Sequence, residues 1–122
     1  MTVRTSTQQI EKLVNAIVEG MQEKKANNIV TINLEKLTNS VTSYFVICEA
    51  ESTTQVDAIA DSVEEFARKK MTEKPISREG FSSAQWILLD YFDVVVHIFQ
   101  KEYRDFYRIE DLWGDGDIKH ID

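Results

Sequence analysis

The chain is poor in the residues that break or staple structure. Its 122 residues include four glycines, one proline and one cysteine. So little glycine and proline excludes a low-complexity or collagen-like chain. One cysteine excludes an internal disulfide and points to a reducing compartment. Long apolar runs are missing too: no window approaches the ~18 uninterrupted apolar residues of a membrane span. The longest strong runs, Tyr44 to Cys48 and Val94 to Phe99, are strand-sized, and the second contains His97. The first twenty residues lack a basic segment followed by an apolar one, and they are not the Arg-rich, acid-poor stretch of a transit peptide. A cytoplasmic location with no membrane contact is expected.

Positive charge is also short. Lys and Arg total 14 against 21 Asp and Glu, a net charge of −7. Phosphate binding needs a basic footprint, so little direct nucleic-acid contact is expected. An acidic chain suits a basic partner, because opposite potentials speed the encounter and set its orientation.

Catalytic signatures are absent. Glycines stand only at positions 20, 80, 114 and 116, which rules out a P-loop or a dinucleotide fingerprint. One cysteine and two histidines, His97 and His120, do not make a zinc cluster. Gly114 to Asp117 lacks the spacing and closing glutamate of a calcium loop and reads as a solvated acidic tail. No nucleophile elbow of the hydrolase type occurs. Nucleotidyl transfer needs two acids on one strand face and a Gly-Ser turn; Asp90 and Asp93 are three apart, and the chain has no Gly-Ser dipeptide. No catalytic residue, metal or cofactor is predicted; a residual transferase is the alternative reading.

What remains is a regular alternation of elements. Ile10, Leu13, Val14, Ile17 and Met21 make one face of a helix over 6–26, with Thr5 or Ser6 as cap. Strands are predicted at 28–34 and 43–49, the second apolar on both faces and therefore central. A long helix follows over 53–72, capped by Ser52 with Gln55 as partner. Its stripe is Val56, Ile59, Ala60, Val63, Phe66 and Ala67, its last turns carry Arg68, Lys69 and Lys70, and Pro75 prevents continuation. A short edge strand at 76–79, two strands at 84–91 and 93–100, and a helix at 101–107 complete the pattern. This order predicts one domain over 1–122 of the α/β (α+β) class, with helices against a mixed β-sheet. Cys48, in an apolar strand, reads as a buried inert thiol.

The hairpin from Trp86 to Phe99 carries most of the functional signal. With a two-residue turn of Tyr91 and Phe92, Asp90 faces Asp93, Leu88 faces Val95 and Trp86 faces His97. The other face, Ile87, Leu89, Val94, Val96 and Ile98, is wholly apolar and reads as core. Facing carboxylates destabilise a strand pair, and the turn displays the two rings of Tyr91 and Phe92; a basic partner would relieve the repulsion and cover the rings. A longer loop would change the register. His97 reads as a hydrogen-bonded neighbour of Trp86.

These residues resemble the ribosomal silencing factor family, also called the Iojap family. One block is Tyr44 to Cys48, Ser52, Gln55, Val56, Ile59, Ala60 and Asp61. The other is Trp86 to Tyr91, Asp93 to Phe99, Arg104, Phe106, Tyr107 and Leu112 to Asp115. Phe92 stands where the family usually has glycine, Ser43 where it often has aspartate, and Ala50 where it tends to have glycine. The resemblance implies a nucleotidyltransferase-like fold without the catalytic residues. It implies binding to the large ribosomal subunit through its fourteenth protein, steric block of small-subunit joining, and lowered translation under nutrient limitation. It also implies a homodimer off the ribosome. The expected partner-binding residues are Trp86, Leu88, Asp90, Tyr91, Asp93, Val95, His97, Arg104 and Tyr107, with Trp86 and Tyr91 as anchors. Arg104 equally suits a pairing that fixes the last helix.

Overall fold

A computed structural model describes residues 7–36, 42–107 and 117–121, without the side chains of 105–107. The elements in chain order are α1 (Thr7–Glu23), β1 (Asn27–Asn33), β2 (Tyr44–Ala50), α2 (Thr53–Met71), β3 (Ser77–Glu79), β4 (Trp86–Asp90), β5 (Val94–Gln100), α3 (Lys101–Tyr107) and β6 (Asp117–Ile121). The six strands form one sheet in the order β3-β4-β5-β2-β1-β6. The β2–β5 pair is parallel and the other four pairs are antiparallel, so the sheet is mixed as expected.

Two helices cover one face. Ile10, Leu13, Val14, Ile17 and Met21 are all buried, as the helical spacing requires. They pack with Val56, Ile59, Ala60, Val63 and Ala67 of α2 over Val46, Cys48, Ile87, Leu89, Val94, Val96 and Ile98. Burying each large aliphatic side chain contributes roughly 1.5–3 kcal/mol. The helices touch at Gly20: a Cβ there would lie 2.8 Å from Val63 Cα. Ser62 Oγ donates to the Gly20 carbonyl across the same contact, at 2.8 Å.

Local signals set the helix ends. Ser52 Oγ accepts from Gln55 N at 3.1 Å, whereas the Gln55 side chain turns away to donate to the Lys24 carbonyl. The α2 C-terminus closes on Thr72 in the left-handed conformation, φ 56°, with Thr72 N and Glu73 N bonded to Arg68 O and Ala67 O. The cap proposed at Thr5 or Ser6 lies outside the described residues. The basic cluster serves the helix surface: Lys69 pairs with Glu65 at 3.0 Å, and Lys70 pairs with Glu19 of α1.

The second face of the sheet holds Val30, Ile32, Leu34, Phe45, Ile47 and Phe99, all buried, with Trp86, Val95 and Tyr103 packed against them. Tyr103 belongs to α3, which crosses β5 and β2 on this side.

Two expectations need correction. Asp117, read as part of a solvated acidic tail, begins β6, which pairs antiparallel with β1 from Ile29–Ile121 to Asn33–Asp117. The hairpin register is also displaced by two residues: Asp90 faces Val95, Leu88 faces His97 and Trp86 faces Phe99. Phe92 and Asp93, not Tyr91 and Phe92, form the tip, closed by Tyr91 N to Val94 O at 2.8 Å. An even displacement keeps every side chain on its expected face.

Candidate partner-binding surface

The outer face of the β4–β5 ribbon is the candidate surface, and two loops position it. Gly80 adopts φ +89°, and a Cβ at that position would stand 2.0 Å from the Trp86 carbonyl oxygen. Only glycine lets the loop pass so close to the start of β4. At the other end, the hairpin tip is tied back to the chain before β2. The Asp93 carbonyl accepts from Ser43 N at 2.9 Å and Tyr44 N at 3.1 Å, and Thr42 Oγ1 donates to the Phe92 carbonyl at 3.0 Å.

The predicted residues sort into two groups. Trp86, Leu88, Asp90, Asp93 and Val95 are half-buried and present part of their surface. Tyr91, His97 and Arg104 are buried, at 4%, 3% and 6% exposure. Tyr91 is therefore not the exposed anchor expected of it. With the turn moved to Phe92 and Asp93, its ring joins the core against the helices. The side chain of Tyr107 lies outside the described residues.

The expected repulsion between Asp90 and Asp93 is replaced by a turn contact. Asp90 Oδ1 accepts from Phe92 N at 2.8 Å. This carboxylate stabilises the bend, as Asp side chains do when they bond the backbone two residues on.

His97 holds the indole. Trp86 Nε1 donates to His97 Nδ1 at 3.1 Å, so the neutral ring keeps its proton on Nε2. Nε2 is buried and finds no partner among the described residues. Burial pushes the imidazole pKa down to about 4, which keeps the ring an acceptor at neutral pH. Phe45 meets His97 edge-on, centroids 4.8 Å apart, and Trp86 stacks on Phe99 at 5.0 Å. The hydrogen bond to His97 and the stacking on Phe99 thus help to fix the Trp86 ring.

Arg104 takes the structural role. Its Nη1 donates to Asn28 O at 2.6 Å and to Glu49 Oε1 at 3.2 Å. The pair is almost fully buried, and it ties α3 to β2 and to the irregular start of β1. Cys48 is fully buried, and desolvation pushes its thiol pKa up, as an inert core cysteine requires.

Sequence reasoning missed Ile76 and left Phe92 out of the expected binding residues. They are the most exposed large apolar residues among those described, at 69% and 60%. Both line a groove of about 300 Å³ beside Tyr91 and Asp93. Ile76 carried no signal because it precedes a three-residue strand, and Phe92 was read with Tyr91 as a displayed ring for a partner to cover, with Tyr91 taken as the anchor. Among the described residues no three His, Cys, Asp or Glu side chains gather where a metal ion could sit. No described helix is long and apolar enough to cross a membrane.

Residues 7–122 match the family model described as "Ribosomal silencing factor during starvation". A ribosomal silencing factor of Halalkalibacterium halodurans is 38% identical over 107 residues, covering 87% of this chain and 89% of that protein. One of Bacillus subtilis is 38% identical over 112 residues, covering 92% and 93%. A crystal structure of a Chromobacterium violaceum protein superposes with a TM-score of 0.78 at 34% identity, covering 90% of this chain and 88% of that one. The match runs through both strand blocks and all the described elements, and the chain belongs to the ribosomal silencing factor family.

Proposed function

We propose that this chain silences ribosomes without catalysis, by occupying the large subunit at its fourteenth protein and sterically blocking the small subunit, so that translation falls under nutrient limitation. Off the ribosome it pairs with a second copy. The observation that carries this reading is family membership over nearly the whole chain. Two physical features support it. The net charge of −7 suits a basic ribosomal protein. The half-buried cluster of Trp86, Leu88, Asp90, Asp93 and Val95 offers an aromatic anchor with an acidic rim, the usual anatomy of an interface centre. His97 acts from beneath, by holding Trp86.

Co-sedimentation with purified large subunits tests the reading, with a subunit-joining assay beside it. The chain should travel with large subunits and reduce formation of joined ribosomes. Trp86→Ala should weaken binding by at least about thirtyfold, the scale of a hot-spot residue. Asp93→Lys should weaken it as well, with circular dichroism unchanged. Asp93 is the better charge probe, because Asp90 also holds the turn. Binding by both variants within twofold of the parent chain would reject this surface.

A further inference from the structure

Phe92 sits where a bulky side chain is least at ease. Its φ is +74°, the left-handed region that a Cβ disfavours and glycine enters freely. Its ring does not compensate by burial, since 60% of the residue is exposed. Fold physics therefore gives no return for an aromatic here. An exposed, strained residue that the surroundings hold in place is the usual mark of a contact made with something else.

The surroundings do hold it. Asp90 Oδ1 binds its N–H and Thr42 Oγ1 binds its carbonyl. Asp90 also anchors the second exposed residue, because its backbone carbonyl accepts from Ile76 N at 2.7 Å. Ile76 and Phe92 thus stand on one groove, with Ile10, Leu13, Met71 and Tyr91 among its other lining residues. Glu73 and Asp93 also line it, against Lys74. The groove adjoins the Asp90–Asp93 end of the ribbon.

We infer that Phe92 and Ile76 form a two-pronged apolar clamp that extends the docking surface around the hairpin tip and grips the same basic ribosomal protein. This rests on the function proposed above. The occupant follows from charge and continuity. The carboxylates of Glu73 and Asp93 on an acidic chain favour a cationic surface, and Asp93 belongs both to this groove and to the ribbon surface. Apolar prongs inside a charged rim would displace water from the partner and give the contact its lifetime.

The clamp makes stability and binding respond in opposite directions. Phe92→Gly removes the left-handed strain, so its thermal midpoint should equal or exceed that of the parent chain. Its affinity for purified large subunits should fall at least tenfold, mainly through faster dissociation. Ile76→Ser, at a site exposed in the unbound chain, should cause a similar loss. Phe92→Asn, which tolerates the same backbone, serves if the glycine variant does not fold. Asp93→Lys and the parent chain are measured alongside, and sedimentation equilibrium follows the oligomeric state. If the parent chain binds subunits and the Phe92 and Ile76 variants bind within twofold, the clamp is overturned while the proposed function stands. If the parent chain does not bind, both fall. If the variants lose only self-association, the groove serves a second copy and the clamp is overturned.

Discussion

His97 and Arg104 illustrate two ways of burying a polar side chain on the same sheet face. Arg104 keeps its charge and meets Glu49 and a backbone carbonyl. Such a pair adds little net stability, yet losing one partner costs about 3–5 kcal/mol because the other is left charged and dry. His97 gives up its charge, accepts from Trp86 and leaves Nε2 without a partner among the described residues. Its pKa drops from 6.5 to about 4 through desolvation. Between these values the unfolded chain binds a proton that the folded chain refuses. This contribution to stability is complete above pH 6.5 and is lost progressively as pH falls toward 4. Urea titrations across this window should show His97→Gln with a shallower loss of stability than the parent chain. Parallel slopes would mean that the folded imidazole protonates normally.

At the scale of elements, the contact between α1 and α2 depends on the absence of one side chain. Gly20→Ala would gain helix propensity, worth up to about 1 kcal/mol. It would also force a Cβ to 2.8 Å from the Val63 backbone. Overpacking of this kind costs about 1–3 kcal/mol, so the urea midpoint should fall with no change in its slope. Most elements were legible in the sequence because burial imposes a period. The α1 stripe, the apolar ribbon face of Ile87, Leu89, Val94, Val96 and Ile98, and the α2 stripe apart from Phe66 emerge as read; Phe66 is half-buried beneath Lys70 instead of joining the core. β6 carried no such signal: Asp117 to His120 are exposed, and the strand is held by backbone pairing to β1 rather than by an apolar face. The hairpin register escaped because Tyr91 looks like a display residue, and the aromatic that accepts the left-handed position is Phe92. The outward set of the site survived this error only because the displacement was even. The burial of His97 was not legible, since period two assigns a strand residue a face but not what covers it; Tyr91 was misjudged with the register, and Arg104, on α3, follows the pairing that was one of its two readings.

The described residues form a mixed sheet with two helices on one side and a short one on the other, and the chain carries seven more negative than positive charges. Long-range attraction to a basic partner should therefore dominate the encounter. Stopped-flow association with large subunits should slow markedly between 0.01 and 0.15 M salt, as the screening length contracts from about 30 to about 8 Å. Dissociation, set by the apolar contacts, should change far less. Rates insensitive to salt would remove charge steering from the account. The sheet order has a temporal side as well. Among the described strands β1 is synthesised first and β6 last, yet they are neighbours. Until Asp117 to Ile121 arrive, β1 offers an open hydrogen-bonding edge, the kind of template that invites pairing with a stranger. Closing the sheet also joins positions some ninety residues apart in the chain, from Ile29 to Ile121. Contacts of that span place folding in the slower, topology-limited class, so a newborn copy remains adhesive until β6 docks.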